Sequence, residues 1–235
     1  MTDEILIEAR GVTRILPGIV PTTLVHGIDL AIRANEFLAI TGPSGSGKSS
    51  LLYLLGLLDL PTEGEVTIRR KGTAHMTEEE RARVRLSELG FVFQFHFLLP
   101  EFTALENVML PMRALGQLSR EAMRKRATDL LDALGLAEHA RKRPDQLSGG
   151  QRQRVAVARS LANDPPIILA DEPTGSLDSK SSEQVFEILR DLVARRGKTV
   201  VAVTHDLGLA ARMTRRVQLV DGMIASDEAA QVISH

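Results

Sequence analysis

The glycine-rich segment Gly42-Pro43-Ser44-Gly45-Ser46-Gly47-Lys48-Ser49 limits most strongly what this chain can fold into. It fits the pattern G-x-x-x-x-G-K-[ST] and lies between an apolar run, residues 37–40, and a helical pattern over residues 48–58. Such a loop lets backbone N–H groups approach a polyphosphate, while the lysine and the serine hydroxyl suit phosphate oxygens and Mg²⁺. An ordinary glycine/serine turn is the alternative, but the context favours a strand, a phosphate-binding loop and a helix.

Two carboxylates follow a second apolar run. Residues 167–170 predict a buried strand, and Asp171 and Glu172 come at its carboxyl end, where ligands bind in open α/β sheets. The first carboxylate suits the Mg²⁺ shell, and the second suits orienting or deprotonating a water that attacks a γ-phosphate. A strand that ends in two solvated acids is the alternative, and the phosphate loop makes it the weaker interpretation.

A second glycine-rich segment, Ser148-Gly149-Gly150-Gln151, precedes a predicted helix over residues 152–162. The start of this helix offers another set of backbone N–H groups to an anion. This segment closes either on a nucleotide in its own chain or on one held by another copy, and the residues alone do not distinguish the two. Without the phosphate loop elsewhere in the chain, the segment would be interpreted as an ordinary helix cap with conformationally flexible glycines.

Apolar periodicity places the remaining elements. Alternation predicts strands at residues 5–7, 28–32 and 65–69, and a turn at Lys71-Gly72 follows the last of them. We expect Pro61 and Gly64 to end the helix that begins at Lys48. A charged helix is predicted over 77–89, mostly helical structure over 100–162, and a helix face at 185–193 that stops at Gly197 before a strand at 199–203. The pattern predicts an α/β fold, with a parallel core split by a helical insertion and antiparallel strands near the N-terminus.

Composition excludes several classes of protein. Apolar residues make up 43% and charged residues 25%, which excludes a disordered, collagen-like or coiled-coil chain. The formal net charge of -1 gives no global attraction to nucleic acid, and the absence of cysteine excludes a disulfide scaffold and a thiolate metal site. The start, MTDEILIEAR, lacks the pattern of a secretory signal, and the longest apolar run, residues 51–58, is too short to span a membrane. We therefore expect a cytoplasmic protein that reaches a membrane only through a partner.

Six motifs occur in the order and approximate spacing of an ATP-binding cassette (ABC) ATPase, and the resemblance covers nearly the whole chain. They are the phosphate loop, Gln94, residues 147–151, Asp171-Glu172, Ser176-Leu177-Asp178 and His205. Residues 90–100, 102–108 and 170–175 are more narrowly similar to the lipoprotein-releasing (LolD-like) and MacB-like branch, whose members serve bacterial permeases. The resemblance implies a P-loop NTPase fold with a RecA-like parallel core, an N-terminal antiparallel β subdomain and an inserted α-helical subdomain. It places the core and the β subdomain at 1–94 and 163–235 and the helical subdomain at 95–162. The signature motif of the family lies in the helical subdomain, at residues 147–151.

The same resemblance implies a head-to-tail dimer that binds ATP and Mg²⁺. Ser148, Gly149 and Gly150 of one subunit would close over the γ-phosphate held by the other subunit's phosphate loop, with Asp178 at the dimer contact. The implied catalytic residues are Glu172 as base, His205 at the γ-phosphate and Gln94. The implied Mg²⁺-binding residues are Ser49, Gln94 and Asp171. Ser50 and Gln151 complete the implied contacts with the nucleotide.

The resemblance further implies a partner protein on which this chain acts. It implies an ATP-binding subunit that drives a separate integral-membrane permease for lipoprotein release or MacB-like export, located at the cytoplasmic face of the bacterial inner membrane and peripheral through that permease. Two alternatives differ in class. A soluble ABC ATPase acting on DNA or ribosomes is disfavoured by the short spacing between phosphate loop and signature and by the single cassette. An inert adaptor is disfavoured by the intact Lys48, Asp171, Glu172 and His205, and we expect no nucleic-acid partner.

Phenylalanines are concentrated between residues 91 and 102. Phe91 and Phe93 share one face of a predicted strand, so core packing accounts for that pair. Phe95, Phe97 and Phe102 follow Gln94, and they fit either a permease-docking patch or the core of the helical subdomain.

The N-terminal strands depart from the family pattern. Relatives commonly stack an aromatic ring on adenine there, but residues 1–36 contain no Phe, Tyr or Trp, and Ile15 occupies the place by local register. We therefore expect Ile15 to contact the base and base recognition to be weak.

Overall fold

Two β-sheets form the framework of the protein, seen in a computed structural model that describes residues 4–229. The first sheet is antiparallel and contains β1 (Ile5–Leu16), β2 (Thr22–Arg33), β4 (Glu63–Ile68) and β5 (Lys71–Gly72). Its strand order is β2-β1-β4-β5. The antiparallel N-terminal sheet predicted from the alternating residues is thus confirmed.

The second sheet has six strands in the order β10-β9-β3-β8-β7-β6. Its strands are β3 (Phe37–Thr41), β6 (Leu89–Phe93), β7 (Ile167–Asp171), β8 (Thr199–Val203), β9 (Arg215–Val220) and β10 (Met223–Ala229). All neighbouring pairs from β9 to β6 are parallel, and β10 adds an antiparallel edge. The predicted α/β class with a parallel core is therefore confirmed.

Helices connect the parallel strands and build the insertion. They are α1 (Lys48–Leu55), α2 (Glu78–Glu88), α3 (Ala104–Leu115), α4 (Arg120–Ala133), α5 (Gly149–Ser160), α6 (Ser179–Arg196) and α7 (Leu207–Ala210). Two 3-10 turns, Ala137–His139 and Pro144–Gln146, lie between α4 and α5. Thr103 and Ser119 cap α3 and α4, since each side chain accepts a hydrogen bond from the third residue of its helix. Within residues 4–229, no helix is long and apolar enough to cross a membrane.

Alternate residues of the parallel strands supply two separate cores. Leu38 and Ile40 of β3 face α1 and the antiparallel sheet, while Phe37 and Ala39 face the helices that include α3 to α6. Because the strands are buried on both sides, they are continuous apolar runs in the sequence. The division of the chain at residues 94/95 and 162/163 stays a prediction.

Helix α1 is shorter than predicted. It ends at Leu55 and not at Leu58, and neither Pro61 nor Gly64 ends it, because Gly56 is the C-cap and Leu57 has a left-handed φ of 56°. A Cβ at Gly56 would lie 2.7 Å from the Phe91 ring, so the chain leaves the helix where it packs against β6. This contact joins residues distant in sequence, which local turn signals do not reveal.

The turn after β4 lies two residues earlier than predicted. Arg69 and Arg70 form it with φ values of 47° and 65°, and Lys71–Gly72 is the paired strand β5. Two positive φ values favour Asn and Gly, so two arginines gave no turn signal.

Candidate active site

The phosphate loop connects β3 to α1 and is held by close backbone packing. Gly42 and Gly47 have φ values of 145° and 92°, and a Cβ would collide with the carbonyl oxygens of Leu219 and Leu24, respectively. Both positions therefore require glycine, because any side chain would push the loop away from β9 and β2.

The loop turns around the Pro43 carbonyl. Ser46 N and Lys48 Nζ both donate to it, at 3.3 and 2.7 Å. Lys48 is 8% exposed, and the buried Ser46 hydroxyl has no hydrogen-bond partner among residues 4–229. Ser44 and Gly45 are exposed at the tip, and Ser50 lies half-buried in the first turn of α1. A lysine bonded to a carbonyl oxygen can exchange that partner for a phosphate oxygen.

Asp171 and Ser49 meet although 122 positions separate them. Ser49 Oγ donates to Asp171 Oδ1 at 2.8 Å, and Tyr53 OH donates to Asp171 Oδ2 at 2.8 Å. Burial, and then the bond to Asp171, raise the pKa of Tyr53 to about 12. Sequence reasoning missed Tyr53; its position four residues after Ser49, on the same face of α1, was the available signal.

Glu172 adopts a left-handed backbone with a φ of 46°, directly after β7. Its N–H donates to Val203 O, the last residue of β8, at 3.0 Å. His205 Nδ1 lies 3.0 Å from Glu172 Oε2, and the carboxylate accepts this bond. The structure thus brings two of the three predicted catalytic residues, Glu172 and His205, into contact at the carboxyl edge of the parallel sheet.

Gln94 follows β6 and lies on the same side of the sheet. A Cβ at Gly175 would be 3.0 Å from Glu172 Oε2 and 3.1 Å from Gln94 Nε2, so both side chains border the same glycine. Gln153 of α5, which sequence reasoning missed, is fully buried and donates to Phe93 O at 3.0 Å and to Pro173 O at 2.8 Å. This amide therefore links the last residue of β6 to the residue that follows Glu172.

The second glycine-rich segment begins α5. Ser148 is the N-cap: its Oγ accepts from Gln151 N at 3.2 Å, while Gln151 Oε1 accepts from Ser148 N at 2.8 Å. A Cβ at Gly150 would collide with Ser181 of α6, and one at Gly149 would lie 3.7 Å from Leu177. These neighbours differ from those of Gly42 and Gly47, so different parts of the chain hold the two glycine-rich segments.

Asp178 caps α6. Its carboxylate accepts from Ser181 Oγ at 2.7 Å and from Ser181 N at 3.0 Å, and these bonds lower its pKa. The dimer-contact role expected for Asp178 stays a prediction, and the carboxylate has this local role in the single chain.

The remaining predicted contacts lie on the surface. Ile15 is half-buried on β1, and its N–H donates to Thr62 Oγ1 at 3.0 Å. Phe95 and Phe97 are each 63% exposed, which favours the docking patch for these two; Phe102 is half-buried. The rings of Phe91 and Phe93 stack at 5.9 Å, as expected for residues on one face of a strand.

A phosphate loop after β3, with acidic and histidine side chains at and just after the carboxyl ends of β7 and β8, defines a phosphate-loop ATPase. Comparison with known proteins makes this more specific. The family model described as ABC transporter matches residues 25–175, more than half of the chain, and the chain therefore belongs to the ABC transporter family. It is an ABC ATPase.

Curated relatives match almost end to end. The chain is 50% identical to the lipoprotein-releasing system ATP-binding protein LolD of Anaeromyxobacter dehalogenans, over 94% of this chain and 93% of that protein. It is 49% identical to the lipoprotein-releasing system ATP-binding protein LolD 1 of Chlorobium chlorochromatii, over 87% of this chain and 83% of that protein.

A solved structure shares the fold. The dimeric, post-hydrolysis state of the ATP-binding cassette MJ0796, bound to ADP and Pi, is 44% identical with a TM-score of 0.89, over 96% of this chain and 99% of that chain. The expected ABC ATPase fold is therefore confirmed.

Proposed function

We propose that this chain is the ATP-hydrolysing subunit of a bacterial lipoprotein-releasing transporter, at the cytoplasmic face of the inner membrane. The observation that carries the proposal is the similarity to two proteins of that name, at 49% and 50% identity over most of each chain. The intact loop, Asp171, Glu172 and His205 support a working ATPase in that role.

The residues at the loop fit Mg²⁺ bound together with ATP. Ser49 Oγ and Asp171 Oδ1 lie 2.8 Å apart, and residues 4–229 hold no group of three or more His, Cys, Asp or Glu side chains that could bind a metal alone. Mg²⁺ prefers one or two protein ligands completed by water and phosphate oxygens, which this pair allows. When bound, Mg²⁺ would neutralise charge on the β- and γ-phosphates. Ser49 and Asp171 would hold it, and Gln94 would contact its water.

Glu172 would act on the attacking water. Its carboxylate and His205 both border a cavity of about 400 Å³ that also touches Gly175. The backbone bond to Val203 and the contact with His205 hold the carboxylate in position. In the proposed mechanism, Glu172 accepts a proton from water as the water attacks the γ-phosphate, and His205 turns from Glu172 to that phosphate.

The dimer completes the site in this proposal. Ser148, Gly149 and Gly150 of one copy would cover the γ-phosphate held by the loop of a second copy, with the N-terminal end of α5 directed at the anion. Support comes from the separate neighbours of the two glycine-rich segments and from the dimeric state of the MJ0796 structure.

The membrane partner would dock on Phe95 and Phe97. Both are exposed, in the segment between Gln94 and α3. Arg159 of α5 donates to the carbonyl oxygens of His96 and Phe97 at 2.6 and 2.7 Å, so this segment is fastened to the helix that begins at the signature. Movement of a bound permease would therefore be transmitted to the signature end of α5.

The experiment is purification of a tagged chain from membranes of its own cells, followed by reconstitution of the complex into vesicles. We expect an integral-membrane permease to co-purify and a lipidated protein to stimulate ATP hydrolysis. The same protein without its acyl chains is the control and should not stimulate. Equal stimulation by both, or co-purification with ribosomes or DNA and no permease, would contradict the proposal.

A further inference from the structure

His139 contacts Gln151 in the first turn of α5, next to the N-cap Ser148. Its Nε2 lies 3.0 Å from Gln151 Nε2, and Gln151 in turn exchanges two hydrogen bonds with Ser148. His139, Gln151 and Ser148 thus form a continuous chain of hydrogen bonds that ends at the serine expected to meet a γ-phosphate.

The donor in each bond follows from the amide. Gln151 Oε1 accepts from Ser148 N, so the Nε2 amino group is the part that faces His139. An amide nitrogen can only donate, so His139 Nε2 accepts and the ring proton is on Nδ1. His139 Nδ1 is buried and has no hydrogen-bond partner in the part of the chain that the structure describes. A buried, unpaired ring nitrogen is unfavourable for stability, so folding alone does not explain this histidine.

The backbone around His139 is held from a second element. His139 is the last residue of the Ala137–His139 turn, and its carbonyl accepts from Lys142 N at 3.0 Å. The first turn of α3 then donates to this segment, from Leu105 N to Ala140 O at 2.9 Å and from Ala104 N to Lys142 O at 2.8 Å. The imidazole therefore projects from a fixed point.

We infer that His139 is a positioning residue for the signature motif: by accepting from Gln151 Nε2 it fixes the orientation of the Gln151 amide and, through it, the geometry of Ser148. If the amide turned over, its amino group would face Ser148 N–H, donor against donor, and the cap would open. This inference rests on the proposed function, in which Ser148 closes over the nucleotide of a second subunit.

The experiment compares three variants in the Glu172→Gln background, where we expect bound ATP to be turned over very slowly. His139→Leu keeps the bulk and removes the acceptor; His139→Gln keeps an acceptor at similar reach; His75→Leu, at an exposed histidine, is the control. The ATP concentration that produces half-maximal dimer should rise about 2- to 12-fold in His139→Leu, which corresponds to one net hydrogen bond, and should stay near the parent value in the other two.

A role limited to folding would give a different pattern. Loss of the buried Nδ1 means that His139→Leu should unfold at the same temperature as the parent or higher, although it dimerises less readily. A His139→Leu/Gln151→Ala double variant should be no weaker than Gln151→Ala alone, because both changes break one chain of bonds. An unchanged ATP requirement in His139→Leu, or the same loss in His139→Gln, would overturn the inference.

Hydrogen exchange separates this inference from the dimer itself. In the isolated chain, the backbone amide hydrogen of Ser148 should exchange faster in His139→Leu than in the parent. The reason is that Gln151 Oε1, which accepts from this amide, is no longer held in place by His139. Absence of ATP-driven dimer in the Glu172→Gln parent would contradict the proposed function, while unchanged exchange at Ser148 would contradict the role of His139.

Discussion

His205 Nδ1 lies 3.0 Å from Glu172 Oε2, and Glu172 is one of the non-glycine residues with a positive φ, at 46°. A left-handed glutamate costs conformational energy, and such residues persist where neighbouring contacts fix them. Here the Glu172 N–H is bonded to the end of β8 and the carboxylate to the histidine that follows that strand. The strain therefore coincides with the carboxylate we assign as catalytic base.

Replacing Glu172 by Gln should slow ATP turnover by about 10²- to 10⁴-fold, the usual contribution of a general base. The loop, Lys48, Ser49 and Asp171 are unchanged, so MgATP binding should persist and ATP should accumulate a dimer. Turnover assays and size measurements with saturating ATP test this. Glu183→Gln is the matched control, because Glu183 borders the same cavity but is bonded to Arg212. Parent-like turnover in Glu172→Gln would refute the assignment.

Tyr53 should stay protonated well above pH 10, because its pKa is raised to about 12 by burial and by its bond to Asp171. A raised pKa on a group that is neutral when protonated means that its stabilisation is complete below about pH 10 and is lost as pH rises towards 12. Tyr53 is the only tyrosine and the chain has no tryptophan, so phenolate absorbance reports it alone.

Titration of the folded protein should accordingly show little phenolate near pH 10. Asp171→Asn should bring the midpoint down towards 10, since the partner's charge is removed. Tyr53→Phe should increase the Mg²⁺ concentration needed for half-maximal ATPase activity, by about 10-fold or more, if Tyr53 supports Asp171 as the proposed metal ligand. A midpoint near 10 in protein that is still folded would contradict this account.

Local sequence signals predicted the parts of the fold that depend on neighbours in the chain. The phosphate loop and the buried strands follow from residues within a few positions of one another. The Tyr53–Asp171 bond joins residues 118 positions apart and could not be predicted in this way. For the same reason the predicted end of α1, which depends on the contact with Phe91, is wrong. Strands β9 and β10 bury few side chains, so their apolar pattern was too weak to predict them.

Phe97→Asp should weaken attachment to the permease and leave the isolated subunit folded. Phe97 is 63% exposed, and its ring lies edge-on to that of Phe93 with 5.5 Å between the ring centroids. Phe97 has a left-handed φ of 44°, which Asp adopts more readily than an aromatic residue. A charge in an apolar interface loses hydration without gaining a partner.

Co-purification with the membrane fraction and thermal unfolding of the subunit measure the two effects separately. Met223→Asp is the control, because Met223 is an exposed apolar residue, at 50%, on the edge strand β10. Phe97→Asp should reduce permease recovery and Met223→Asp should not. A large loss of thermal stability in Phe97→Asp would instead assign Phe97 to the core.

Ile15→Tyr should tighten ATP binding by about 2- to 12-fold, because an aromatic ring stacked on adenine adds roughly 0.5 to 1.5 kcal/mol beyond its buried area. Ile15 is half-buried on β1 and its N–H is bonded to Thr62, a backbone bond that a tyrosine retains. Since phosphate contacts do not distinguish the bases, the parent should discriminate poorly between ATP and GTP. Competition binding of both nucleotides to the parent and to Ile15→Tyr measures this.

Ile19→Tyr, on the exposed connection between β1 and β2, is the control and should leave affinity unchanged. Strong preference for ATP in the parent, with no gain in Ile15→Tyr, would show that another residue contacts the adenine.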